Sequence, residues 1–232
     1  MKRLPLLFLA WAAPVFAADP VDLFNGQDLA GWTLPTGTWR AVQSVVVDPA
    51  NPKDLFAKPG TGVLLNSTGG KTVDIVTEKE FGDCELHVEF CVPKGSNSGI
   101  YIQGRYEVQV FDSFGKEKVD EHDCGAIYQR WIDAEKKGYE GHAPKVNASK
   151  APGEWQTFDI TFRAPRFDAA GKKIENAKFV KVVQNGQVIH ENVECTGPTR
   201  GAKFNDEKPA GPIRLQGDHG PVAYRNLKLT PQ

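Results

Sequence analysis

Residues 97–113 read NSGIYIQGRYEVQVFDS, and their alternation decides the fold class. From Gly99 to Phe111, Ile100, Ile102, Tyr106, Val108 and Val110 fall on one side of an extended chain. Tyr101, Gln103, Arg105, Glu107 and Gln109 fall on the other. Successive side chains of a strand point to opposite faces, so a period of two predicts one half-buried β-strand through the stretch. Its polar row is unlike an ordinary solvated face, which runs to Thr, Ser and Lys. A carboxylate, a guanidinium, two amides and a phenol form a floor for a polar ligand. Sugars fit it, because their hydroxyls need donors and acceptors and their ring faces need an aromatic.

The pattern repeats outward. Residues 84–92 alternate Cys84, Leu86, Val88, Phe90 and Val92 against Glu85, His87, Glu89 and Cys91. Residues 155–163 alternate with Phe158, Ile160 and Phe162 inward, and residues 179–193 read as a hairpin turning at Asn185-Gly186. Further strands are expected over 39–47, 62–65, 73–77, 213–216 and 223–229. Pro49, Pro52 and Pro59 predict a loop between the first two of these. Residues 115–152 read as a long polar loop around the apolar piece 125–131, and a loop of that length is usually functional. Helical periodicity is confined to 133–137. Ten or more short strands with turn signals predict one antiparallel β-sandwich.

The chain has 232 residues and a net charge of −1, with 40% hydrophobic and 25% charged residues, the balance of an ordinary globular protein. Near neutrality argues against nucleic acid, whose phosphates need a concentrated basic surface. Lys2 and Arg3 before the apolar run 4–16, with Val15 and Ala17 at −3 and −1, read as a signal peptide ending at residue 17. The run is too short for a membrane span. The expectation is a mature domain from residue 18 to 232, exported to the periplasm or the extracellular space.

Export permits disulfides among Cys84, Cys91, Cys124 and Cys195. Cys84 and Cys91 sit at odd separation on one strand, roughly 20 Å apart, so they do not bond each other. Three states remain: Cys84–Cys124 with Cys91–Cys195, Cys84–Cys195 with Cys91–Cys124, or free buried thiols.

Six blocks in order carry a family resemblance. They are FNGQDLAGW (24–32), SNSGIYIQGRYEVQVFDS (96–113), CGAIYQRW (124–131), PGEWQTFDITFRAPRFDAAGK (152–172), VVQNGQVIHENVEC (182–195) and GPIRLQGDHGPVAYRNLKL (211–229). Together they resemble the 3-keto-disaccharide hydrolase domain family. The resemblance implies an all-β, antiparallel concanavalin A-like β-sandwich (jelly roll), exported by bacteria, that acts on 3-keto-glycosides. The family's usual LQDHG is here Leu215-Gln216-Gly217-Asp218-His219-Gly220, with one extra glycine.

A ketone at C3 acidifies the C2 hydrogen of a sugar. A base can take that proton while the C1 oxygen leaves with help from an acid, and water then adds back. The other route is a carboxylate pair acting directly at C1. Glu107, central on the polar row, is the first catalytic candidate, its bland alternative being an ion pair with Arg105. Glu89 is the second, placed near the Gln103 end if its strand pairs with the next across residues 93–98. Asp218 and His219 are an acid–base pair by composition, in a Gly-rich turn. Tyr101, Gln103, Arg105, Gln109, Asp112, Tyr128 and Gln216 are candidate substrate contacts, although Asp112 also reads as a turn cap. Arg130 and Trp131 border the long loop, whereas Trp32, Trp39 and Trp155 read as core. His87 reads as a surface histidine.

No cofactor is indicated, though a divalent cation polarising the ketone is compatible with the chemistry. Asp120, Glu121, His122 and Asp123 lack the spacing of a calcium loop and read as a solvated acidic run. The partner expected is a glycoside or oligosaccharide. Rival readings are a non-catalytic carbohydrate-binding module and a glycosidase using Glu89 and Glu107 directly.

Overall fold

The computed structural model describes residues 19–232, so the expected leader lies outside the described residues. In chain order the strands are β1 (Val21–Asp22), β2 (Arg40–Asp48), β3 (Asn51–Leu65), β4 (Ile75–Phe81), β5 (Cys84–Cys91), β6 (Asn97–Ile102), β7 (Tyr106–Phe111) and β8 (Arg130–Ile132). They continue as β9 (Lys137–Tyr139), β10 (Gln156–Arg163), β11 (Arg166–Phe167), β12 (Lys173–Glu175), β13 (Ala177–Gln184), β14 (Gln187–Cys195), β15 (Gly211–Leu215) and β16 (Ala223–Pro231). Among the described residues there is no helix, and therefore none long and apolar enough to cross a membrane.

Two antiparallel sheets face each other. The larger runs β14-β13-β10-β5-β16-β3-β2, with β1 added beside β16, and the smaller runs β4-β15-β6-β7. Leu86, Val88 and Phe90 of β5 and Phe158, Ile160 and Phe162 of β10 meet Ile100, Ile102, Tyr106, Val108, Ile213 and Leu215 of the smaller sheet. Each fully buried Phe or Leu contributes roughly 1.5–3 kcal/mol of burial, so this interface sets how the smaller sheet sits. The result is the predicted antiparallel β-sandwich of concanavalin A-like kind.

The opening stretch is a hairpin rather than one strand. β6 and β7 pair antiparallel through a turn at Gln103 and Gly104, both at positive φ, with the Arg105 N–H donating to the Ile102 carbonyl at 3.0 Å. The alternation hides the turn because Ile102 and Tyr106 lie opposite each other, four residues apart. Opposite residues share a face, so counting by two runs through the turn without changing sides. The face assignment therefore survives while the topology changes.

Other differences have similarly local reasons. The expected proline loop is the first part of β3, a fifteen-residue strand paired with β2. Pro52 and Pro59 fall in the two register shifts of the β2–β3 ladder, between Asn51 and Leu55 and between Lys58 and Val63, where pairing asks no N–H of them. Residues 133–136 form the turn between β8 and β9, not a helix. The Asn185-Gly186 turn is present, with φ of 50° and 81°. All four cysteines are free and buried; Cys84 and Cys91 lie in different core clusters, and burial pushes both thiols up to about 12. Neither disulfide pairing forms.

Candidate functional site

A cavity of about 320 Å³ opens on the face of the smaller sheet that points away from the core, lined by Asn97, Tyr101, Glu107, Gln109, Tyr128, Arg200, Gly201, Gln216 and His219. Its floor follows from register. Arg214 of β15, Tyr101 of β6 and Glu107 of β7 form one cross-strand row. Gly99 lies opposite Gln109 and accepts from the Gln216 N–H at 2.9 Å, which makes the next row. In the middle of that second row there is no side chain. A Cβ on Gly99 would stand 2.2 Å from Glu107 Oε1, so the glycine leaves the space that the carboxyl occupies.

Glu107 is 2% exposed, and burial pushes its carboxyl up to about 8. The neighbouring Tyr101 hydroxyl and the Arg214 charge oppose the rise, while Asp74 and Asp218 add to it. Arg214 is held over the Tyr101 ring at 4.3 Å, with Nε 2.9 Å from Asp74 Oδ2, so it orients the phenol beneath the carboxyl. Glu107 Oε2, Gln109 Oε1, Gln216 Oε1 and Asn97 Oδ1 are buried and find no partner among the described residues. Native interiors leave few such acceptors unpaired, and four around one cavity mark a site for a ligand rich in O–H groups.

The walls come from distant segments. Residues 125–128 run beside β7: the Gln109 N–H donates to the Ala126 carbonyl at 2.9 Å, and the Tyr128 N–H to the Glu107 carbonyl at 3.0 Å. This edge of the expected loop carries Tyr128 to the cavity. Thr199 ties the next wall down, donating from its N–H to the Arg105 carbonyl at 2.9 Å and accepting the Glu107 N–H on Oγ1 at 3.2 Å. Arg200 and Gly201 thereby reach the rim. The Asp218–His219 turn is pinned through buried Asn66, whose amide donates to the Gly217 and Gly220 carbonyls at 3.2 and 2.8 Å. The Gly217 N–H donates to Asp74 Oδ1 at 2.7 Å, and a Cβ there would meet the Val73 carbonyl at 2.2 Å. The extra glycine thus packs the turn against β4's leading edge. It leaves His219 lining the cavity with Nδ1 bonded to Asp218.

Four expected residues lie elsewhere. Glu89 is on the larger sheet, because β5 pairs with β10 and β16 and not with β6. Its carboxylate meets Arg225 Nε at 2.7 Å and Asn226 at 2.6 Å, and those bonds hold it below the usual range against the cost of burial. Arg105 belongs to the hairpin turn, bonded to the Asp206 carbonyl and carboxylate at 2.6 and 2.7 Å rather than to Glu107. Gln103 is also in the turn, donating to the Phe81 and Pro209 carbonyls. Asp112 caps the β7 end by accepting from the Gly95 N–H at 2.8 Å. His87 pairs with Asp159 on the outer face of the larger sheet.

Asn97, Arg200 and Arg214 were missed as site residues. Asn97 and Arg214 continue the polar alternation of β6 and β15 and were legible by the same count. Arg200 sits in a loop with no periodicity. Asp120, Glu121 and His122 bring ligand atoms within 4.8 Å of one another, while Asp123 is buried and paired with Lys116.

Residues 19–230 match a family model described as a 3-keto-alpha-glucoside-1,2-lyase-like domain. A crystal structure from Parabacteroides distasonis, provisionally named a glycosyl hydrolase, superposes with a TM-score of 0.67 at 29% identity, covering 97% of this chain and 94% of its own. A second provisionally named glycosyl hydrolase from that organism gives 0.60 at 22% identity over 92% and 100%, a likeness of fold. No curated protein matches the chain.

Proposed function

Because this chain belongs to the 3-keto-alpha-glucoside-1,2-lyase-like domain family, we propose that it is a carbohydrate-active enzyme that cleaves 3-keto-glycosides by elimination and rehydration. The observation that carries this reading is the cavity's acid–base inventory. Among its lining residues the only carboxyl is Glu107, which holds its proton tightly, and the only imidazole is His219, held by Asp218. Two groups in unlike environments divide naturally into acid and base.

His219, with Nδ1 engaged by Asp218, accepts the C2 proton on Nε2. The C2–H electron pair forms the C1=C2 double bond as the C1–O bond breaks, the negative charge passing through the C3 oxygen. The leaving oxygen takes the Glu107 proton. Water then adds across the unsaturated ketone: its hydroxyl goes to C1, its proton to the Glu107 carboxylate, and His219, whose Nε2 proton has exchanged with solvent in the open cavity, protonates C2. Both groups end as they began. The amides of Asn97 and Gln216 and the Tyr128 hydroxyl offer donors to the charge developing at C3. The unpaired acceptors of Gln109, Gln216 and Asn97 receive sugar hydroxyls. A direct glycosidase built on Glu89 and Glu107 is disfavoured, since those carboxyls belong to different sheets. The expected leader makes this an enzyme that works after export.

The test is incubation with methyl 3-keto-α-glucoside in D₂O beside the unoxidised glucoside. Release of 3-keto-glucose deuterated at C2, with the parent glucoside untouched, is the expected result. Product lacking deuterium refutes elimination. Binding of either sugar without cleavage gives the site to a binding module.

A further inference from the structure

A second, larger hollow of about 430 Å³ adjoins the first and shares Arg200 and Gly201 with it. Both volumes fall in the range of about 300–1,000 Å³ common for small-ligand sites. The new hollow is walled by Arg130, Trp131 and Tyr139 on one side and by Thr199, Arg200 and Asn205 on the other. Its charges are unequal. Arg130 lies over Tyr139 and is engaged by Glu140 and Thr196. Asp133 on the rim faces Lys136 at 3.7 Å. Arg200 lies over Trp131 with its guanidinium carbon 3.7 Å from the ring centroid, and no carboxylate pairs with it among the described residues. The shared cation is therefore the uncompensated one.

The fold holds that cation in place. The Arg200 N–H donates to the Gln129 carbonyl at 2.8 Å, and the N–H of Thr199, the preceding residue, donates to the Arg105 carbonyl at 2.9 Å. Gly197 gives Arg130 its room, since a Cβ there would stand 2.6 Å from the guanidinium. With its guanidinium set against the Trp131 ring and lining both hollows, Arg200 keeps its planar fork of N–H donors free of any carboxylate among the described residues. That geometry suits a planar anion accepting two parallel hydrogen bonds.

We propose that this hollow is the leaving-group subsite and that it selects an anionic leaving group, one bearing a carboxylate, with Arg200 as the residue that reads the charge. The proposal rests on the catalytic reading only for the word leaving. Selection itself is a property of binding and is tested without turnover.

The probes are two unoxidised α-glucosides that differ in one group: maltobionate, whose aglycone ends in a carboxylate, and maltitol, whose aglycone ends in an alcohol. Calorimetry on the full chain at low salt is expected to give about tenfold tighter binding of maltobionate, the strength of one charge-assisted contact at a partly exposed site. The ratio falls toward one in Arg200→Gln and shrinks as salt rises. Asn205→Trp, a change at the exposed rim that fills the hollow, also collapses it. A wild-type ratio near one overturns the proposal, as does failure of both probes to bind at millimolar concentration. So does a preference that persists in Arg200→Gln. Failure of the deuterium experiment would leave this ratio unchanged, so the two readings fail separately.

Discussion

Replacing Glu107 by Gln removes a carboxyl whose burial opposes ionisation and keeps nearly the same shape. The wild-type group is lifted from 4.5 to about 8 in the fold. A carboxyl raised on folding binds its proton more tightly in the native state, so its contribution is fully present below pH 4.5. It is lost as pH rises toward 8. At about 1.4 kcal/mol per tenfold change in proton affinity, the loss across that window is roughly 5 kcal/mol. That is a large part of the 5–15 kcal/mol by which domains are typically stable. Glu107→Gln carries no such charge. It should match the wild type near pH 4 and exceed it increasingly up to pH 9. Urea unfolding followed by tryptophan fluorescence over this range gives both curves, and their difference isolates Glu107 from other titrating groups. A difference flat within about 1 kcal/mol between pH 4.5 and 9 would refute the argument that burial holds this carboxyl protonated.

Activity gives four further expectations. As the general acid, Glu107 must be protonated, so kcat/KM on a 3-keto-glucoside should fall above about pH 8, and the alkaline limb should disappear in Glu107→Gln along with roughly 10²–10⁴-fold of the rate. Gly99→Ala should push the Glu107 carboxyl aside, losing at least about tenfold in kcat at a cost of about 1–3 kcal/mol in stability, measured by steady-state kinetics and denaturation. Arg105→Ala should destabilise the fold by about 2–3 kcal/mol through the lost turn contacts, yet leave the KM of the folded enzyme unchanged. Glu89→Gln should leave the kinetics unaltered and cost about 1 kcal/mol or less, because its ion pair with Arg225 lies on the larger sheet and is partly exposed.

The site shows where local pattern suffices. Tyr101, Glu107 and Gln109 follow from counting along the strand, because strand geometry alone sends alternate side chains to one face. Glu89 obeys the same count and still lies away from the cavity. Whether consecutive strands pair is a matter of long-range contacts, and β5 finds better partners in β10 and β16 than in its neighbour β6. Arg105 and Gln103 also satisfy the alternation, but the turn takes them beyond the ladder. A four-residue offset across a hairpin is invisible to a period of two.

By itself, then, the sequence determined the all-β class, the apolar faces that meet in the core, the Asn185-Gly186 turn and the polar row around Glu107. These depend on backbone geometry and on neighbours one to four residues away. The tertiary structure alone decided which strands share a sheet, that the thiols stay unpaired, and that Arg200 and His219 line the same cavity as Glu107. Those outcomes depend on contacts between residues about a hundred positions apart, which no local pattern records. The missing side chain of Gly99 joins the two levels: the sequence shows the glycine, and only the packed sheet shows that Glu107 fills its place.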